Sequence, residues 1–360
     1  MKIFFVKNRY PILLLLFVVL SILVSYFYIG YSPELKKDAA QYLEAANYLS
    51  RGGQITTSSL LNRVLTNPAF VYSSILINYF VKDFSSSFAV VNIIFYILLI
   101  FAFYFLALEI YKEKRVAFLG SILVAVNYYI IDPTMSHMSD MGGWFFFVFS
   151  TYWAIKYFNA LNRKFYYYSV LVASIGVFFQ EYGGLALVNL ALLILFSNFS
   201  NKQKIKDIIR AGLLFMIPLL SWHLIFYFKY HLTYFDRMLD AAFMGLTDAE
   251  TRGLILLIKI FGWLFSFGWL AFLFGVREEL KIMDKNRLKI LLATLPIAFL
   301  FLIWPVYTQR IAVVLMMWLS LVAGFGLSRV KWYLLYPFLG IYIWFNYNIR
   351  FLLDKINLPF

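Results

Sequence analysis

The chain has 360 residues, 63% of them hydrophobic and only 14% charged, with a mean hydropathy of +0.78. No soluble domain is that apolar, which points to an all-α, polytopic membrane protein. The net charge of +14 falls mostly in short connections between apolar runs; that placement follows the positive-inside rule and not a nucleic-acid-binding face, so no nucleic acid partner is expected. There is no cysteine, which excludes a disulfide, a CxxC metal site and a cysteine nucleophile.

In chain order, Lys2, Lys7 and Arg9 precede a long apolar run with no small-residue cleavage site. That combination predicts a retained signal-anchor helix with its N-terminus in the cytoplasm. Apolar windows predict a bundle of about eleven spans, near 10–30, 87–110, 116–131, 142–160, 165–179, 184–199, 211–228, 254–275, 290–305, 310–328 and 332–349. The whole of 1–360 then reads as one transmembrane domain with no separate soluble domain and no internal repeat. Under this count the basic connections fall on one side: Lys112/Lys114/Arg115, Arg163/Lys164, Lys202/Lys204/Lys206/Arg210, Arg277/Lys281/Lys285/Arg287/Lys289 and Arg329/Lys331. Residues 69–81 set the parity. As a span they reverse every later helix; as an interfacial or re-entrant helix entered after Asn67-Pro68, within a first external loop of 31–86, they keep the basic connections together.

The opposite, external side receives 31–86, 132–141, 179–183, 229–253 and a turn at 305–310, and chemistry is expected there. Asp38 opens an amphipathic pattern carried by Ala39, Tyr42, Leu43, Ala46 and Leu49, where a carboxylate either caps the helix or serves a reaction. In DPTMSHMSD, Asp132-Pro133 ends one helix and Ser139 or Asp140 caps the next near Gly142. The sharper reading turns His137 and Asp140 toward the same cavity as Asp38, and an Asp132/His137/Asp140 set permits a divalent cation without diagnostic spacing. Gln180-Glu181 sits among apolar residues beside Gly183-Gly184, where a carboxylate is costly unless it faces a cavity or reaches past the helix end. Arg310, at the outer end of an apolar helix, is either an interface anchor or a phosphate ligand. His223 reads as a core histidine, and the mixed charges of 230–253 as a solvated face or a lid. There is no GxSxG elbow, P-loop, HExxH or dinucleotide fingerprint.

The order of these features resembles the GT-C superfamily of integral membrane glycosyltransferases, which includes protein O-mannosyltransferases, oligosaccharyltransferases and aminoarabinose-type lipid A transferases. KDAAQYLEAANYLSRGG is similar to the family's D-x-x-x-Y-x-x-x-A-x-x-L pattern in the first external loop; SHMSD, FFQEYGGLALV and TQRIAVVLMMWLSLVAGFGL follow in the family's order. The resemblance implies transfer of a sugar from a polyprenyl-phosphate donor to a glycan, lipid or protein acceptor at the outer bilayer surface. Asp38 and Asp140 would be catalytic, Arg310 would hold the donor phosphate, and Tyr42, His137, Gln180 and Glu181 would line the substrate. One attacking group and no carboxylate nucleophile imply inversion at the anomeric carbon. No proline follows Arg310 and no large C-terminal soluble domain is present, which favours transfer of one sugar over a whole oligosaccharide. The competing reading is a transporter or flippase of lipid-linked glycans, which predicts repeats and interrupted helices near the bilayer midplane.

Overall fold

The computed structural model describes residues 2–29, 37–52, 58–231, 233, 261–303 and 309–355, and every regular element among them is helical. Helix α1 covers Lys2–Val24 and runs into a π-helical turn, Ser25–Ile29. Three shorter helices follow: α2 Lys37–Ser50, α3 Ser58–Thr66 and α4 Pro68–Val81. The bundle continues with α5 Phe84–Tyr111, α6 Lys114–Ala125, α7 Tyr128–Thr134, α8 Asp140–Ala160, α9 Arg163–Gly176, α10 Ala186–Phe196 and α11 Asn201–Tyr230. It closes with α12 Gly268–Ile282, α13 Lys285–Ala298, α14 Gln309–Arg329 and α15 Trp332–Lys355.

Local chemistry sets these boundaries. Asp83 accepts from Ser86 N at the start of α5, Ser200 from Gln203 N at the start of α11, and Asp284 from Asn286 N and Arg287 N at the start of α13. Proline at the first position starts α4. The 28 residues of α5 reach about 40 Å at 1.5 Å per residue, enough to cross the hydrocarbon.

Eleven simple spans are not what the described residues form. Four helices are long and apolar enough to cross a membrane, or six if each bent pair counts as one span. The predicted span at 116–131 breaks at 126–127, and α6 and α7 meet at 61°. Polar side chains meet the groups freed at this break: Tyr129 N donates to Asn127 Oδ1 at 3.0 Å, Tyr96 donates to Ala125 O at 2.7 Å, and Tyr128 N donates to Asn346 Oδ1 at 3.1 Å. Asp132-Pro133 therefore lies inside α7 and does not end the preceding helix. The predicted span at 184–199 is shorter, a 3₁₀ turn over Glu181–Leu185 followed by the eleven residues of α10. Residues 69–81 form a separate helix that turns 99° from α3 and exposes Tyr72, Leu76, Tyr79 and Phe80. The loop 230–253 lies outside the described residues except for its first residues.

Helix α14 is the centre of the bundle, 89% of its apolar window being buried. It passes between α6 and α12 through glycines that permit backbone contact. A Cβ on Gly324 would lie 2.7 Å from Gly120 N, and one on Gly326 would lie 2.6 Å from Gly275 N. Two residues apart on a helix point to opposite sides, so one short stretch of α14 packs against both neighbours. At the other extreme, α11 is only 6% buried over its window and presents its apolar surface outward.

The basic connections gather at one end. Arg329 pairs with Glu113 at 2.8 Å, Arg115 donates to Val330 O at 3.2 Å, and Asn159 links Glu109 at 2.8 Å to Asn286 at 3.3 Å. Arg287 pairs with Glu279 at 2.7 Å and stacks on the rings of Tyr111 and Phe325, locking the α12–α13 hairpin to α5 and α14.

The glycine contacts give a direct test of this packing. A side chain on Gly275 would run into the Val322 carbonyl, whereas Gly212 has open space around it. Gly275→Val is expected to lower the thermal midpoint of the detergent-solubilised chain through a cost of about 3 kcal/mol, with Gly212→Ala close to wild type. Equal midpoints for the two variants would contradict it.

Candidate functional site

The elbow between α3 and α4 is stitched to the loop after α9. Asn67, 2% exposed, uses every hydrogen-bonding position it has. Its Nδ2 donates to Phe179 O at 2.6 Å and to Gln180 Oε1; its Oδ1 accepts from Tyr42 at 2.8 Å and from Thr66 at 2.7 Å. Ala69 N donates to Phe178 O at 3.0 Å beside it. The loop itself is pressed onto α8 and α9 at glycines: a Cβ on Gly183 would lie 2.6 Å from the Gly176 backbone, and one on Gly143 would lie 2.6 Å from Gln180 Cβ. Small residues at these contacts are what allow Gln180-Glu181 to reach α2 and α3.

Around this joint the polar residues of α2 and α3 converge. Asp38 lies in the first turn of α2, and Arg63 of α3 forms an ion pair with it while donating to Gln41 Oε1 at 2.7 Å. The guanidinium also lies 5.3 Å from the centre of the Tyr42 ring. The two side chains of the pair are 13% and 34% exposed; such a pair contributes only about 0–1 kcal/mol to folding, so its consequence is orientation of the carboxylate. Burial raises the Tyr42 phenol above its ordinary range; Arg63 opposes that rise, while the carboxylates of Glu181 and Asp38 add to it. Asp38, Arg63, Tyr42 and Glu181 therefore share one electrostatic environment.

Ser139 precedes α8, which begins at Asp140 and not near Gly142. Its hydroxyl does not cap the helix; it lies 3.1 Å from the Tyr42 hydroxyl and donates to Gln180 Oε1 at 3.2 Å. Asp140 is 1% exposed and accepts from the Tyr182 hydroxyl, with Trp144 stacked on the Tyr182 ring. The carboxylate is thus built into the support of the 180–182 turn. His137 points elsewhere: its Nε2 lies 3.0 Å from Ser85 Oγ, and two rings, Phe88 and Phe70, stand between it and Tyr42. Burial lowers the His137 imidazole below its ordinary range. Asp132 lies within α7, three residues after Tyr129. Among the described residues no three His, Asp or Glu side chains converge as metal ligands, so Asp132, His137 and Asp140 do not form a chelating set. Arg310 lies in the first turn of α14, and its side chain lies outside the described residues.

Three participants were hidden in the sequence. Asn67 reads as turn chemistry before a proline, and Ser139 reads as a helix cap. Arg63 sits in an amphipathic stretch like any solvated arginine, and nothing near it in the sequence marks its partner. His223, read as a core histidine, has its Nδ1 2.7 Å from Leu219 O and borders a small cavity with Glu181.

No family model matches the chain, and no curated protein matches it. Solved structures do. The oligosaccharyltransferase of Archaeoglobus fulgidus in complex with Zn and sulfate aligns over 95% of this chain and 51% of its own, with 15% identity and a TM-score of 0.56. The same protein tethered to an acceptor peptide containing the NVT sequon aligns over 96% and 55%, with 15% identity and a TM-score of 0.58. Its complex with an inhibitory peptide and a dolichol-phosphate aligns over 99% and 53%, with 15% identity and a TM-score of 0.52. The chain has the fold of this membrane enzyme and spans about half of its length.

The joint at Asn67 predicts an ordering of variants. Asn67→Leu strands the Phe179 carbonyl and takes one partner each from Gln180, Tyr42 and Thr66, and is expected to cost about 3 kcal/mol, whereas Tyr42→Phe removes one donor and costs about 1 kcal/mol. Thermal unfolding in detergent reads both; a Tyr42→Phe loss equal to or larger than that of Asn67→Leu would contradict the assignment.

Proposed function

We propose that this chain is a membrane glycosyltransferase of the GT-C type, moving a single sugar from a polyprenyl-phosphate donor to a glycan, lipid or protein acceptor. The observation that carries the reading is the convergence of Asp38, Arg63, Tyr42 and Glu181 at the elbow of α3 and α4. The membrane-enzyme fold supports it, and one of the aligned structures holds a dolichol-phosphate. The basic connections would face the cytoplasm together with the N-terminus, putting this site at the external surface of the membrane. In that arrangement α4 lies in the interface.

The chemistry asks for a base at the acceptor and positive charge at the departing phosphate. Asp38, aimed by Arg63, takes the proton of the acceptor hydroxyl. The acceptor oxygen attacks the anomeric carbon from the face opposite the phosphate, the carbon–oxygen bond to the phosphate breaks, and the electron pair leaves on the lipid phosphate. Configuration at the anomeric carbon is inverted. Arg310 holds the phosphate as charge accumulates there, a task suited to a guanidinium. Asp140 acts through Tyr182 to position Gln180 and Glu181.

Replacing Asp38 by asparagine keeps the shape of the side chain and removes the base. Transfer of sugar from a polyprenyl-phosphate donor by membranes carrying Asp38→Asn is expected to fall by about a hundredfold or more, with the protein still monodisperse in detergent. Wild-type turnover in that variant would refute the role of Asp38.

A further inference from the structure

Between α5, α8, α10, α13 and α14 lies a cavity of about 30 Å³, none of whose lining residues belongs to the α3–α4 elbow. Most of its wall is hydrocarbon or aromatic, with Phe147, Met317 and Trp318 among the contributors. Three buried polar side chains from three helices join them: Thr151 of α8, Asn189 of α10 and Thr294 of α13. Asn189 is only 1% exposed and stands among the leucines of an apolar helix. A polar atom in such surroundings is costly unless it is paired.

The hydrogen bonds of these three side chains leave only acceptors facing one another. The Thr151 hydroxyl donates its proton to Phe147 O at 2.8 Å, so toward Asn189 it can only accept, and it does so from Nδ2 at 2.9 Å. That contact fixes the amide. Its Oδ1 is the end turned away from Thr151, and it meets no donor among the described residues. The Thr294 hydroxyl is likewise spent as a donor, on Ile290 O at 3.0 Å, and keeps lone pairs to accept with. The space therefore selects a small neutral group that carries two donors. A hydrocarbon chain supplies none and would strand Oδ1 at a cost of about 1–3 kcal/mol. A cation would find no carboxylate in the wall.

We infer that this cavity is an internal water site, in which one water donates to Asn189 Oδ1 and to Thr294 Oγ1 and bridges α10 to α13 inside the bundle. The volume admits it, since about 10–15 Å³ holds a water and buried waters make two to four hydrogen bonds. Helix α10 continues directly from the 3₁₀ turn Glu181–Leu185, so the bridge ties the helix that carries this turn to the α12–α13 hairpin. The water site is independent of the glycosyltransferase reading.

X-ray radiolytic footprinting of the full-length chain in lipid nanodiscs tests it, because a bound water releases hydroxyl radicals that oxidise the side chains touching it. Met317 is 3% exposed and lines the cavity; Met141 and Met316, both 0% exposed, do not. In wild type Met317 is expected to oxidise about tenfold faster than Met141 or Met316, and Asn189→Leu should bring it down to their rate. Thr294→Val keeps the side chain's shape, removes one acceptor and should also slow Met317 severalfold, so either variant that remains monodisperse decides the matter. A wild-type Met317 rate no higher than that of Met141 would overturn the inference. A fast Met317 rate left unchanged by the substitutions would overturn it too, since the radicals would then come from bulk solvent.

Discussion

The site depends on one saturated amide. Asn67 donates twice and accepts twice, and its four partners come from three separate parts of the chain: Tyr42 of α2, Thr66 at the end of α3, and Phe179 and Gln180 beyond α9. A buried amide with every position filled has one orientation, and any shift of the elbow would strand a donor or acceptor. That requirement fixes α2 and α3 over the loop at 178–180, and so fixes which carboxylates face which cation. The helices beneath serve the same end. Glycine contacts at 120, 275, 324 and 326 clamp α14 between its neighbours, and glycines at 143, 176 and 183 press the loop into place.

The two ends of the bundle are chemically different. At one end, charged residues pair with one another across the connections, as in Glu113–Arg329 and Glu279–Arg287, and their evident effect is to tie helices together. At the other end, the Asp38–Arg63 pair sits partly exposed over a buried tyrosine and beside Glu181. At the interruption between α6 and α7 the freed backbone groups are taken by neutral side chains, Asn127, Tyr96 and Asn346.

Much of the fold was legible in the sequence for simple reasons. Composition fixes a helical membrane protein, and the spacing of basic connections matches their grouping at one end of the bundle. The amphipathic period after Asp38 corresponds to α2. What remained illegible involved distances between separate segments. Nothing local to Arg63 signals its partner 25 positions earlier, and nothing local to Ser139 separates a cap from a hydroxyl that serves Tyr42 and Gln180. The spans at 116–131 and 184–199 read as continuous because apolar runs do not reveal a bend whose backbone is satisfied by distant side chains. Asp132, His137 and Asp140 look like a set only along the chain; His137 goes to Ser85 and Asp140 to Tyr182.

The account turns on a lipid phosphate lying between the early carboxylate and the late arginine. A structure of the chain in a lipid nanodisc with a polyprenyl-phosphate sugar bound tests this most directly. The account predicts the phosphate within hydrogen-bond reach of Arg310 and the anomeric carbon turned toward Asp38, above the elbow formed by α3 and α4. A headgroup bound among the basic connections, or separated from Asp38 by packed side chains, would contradict it.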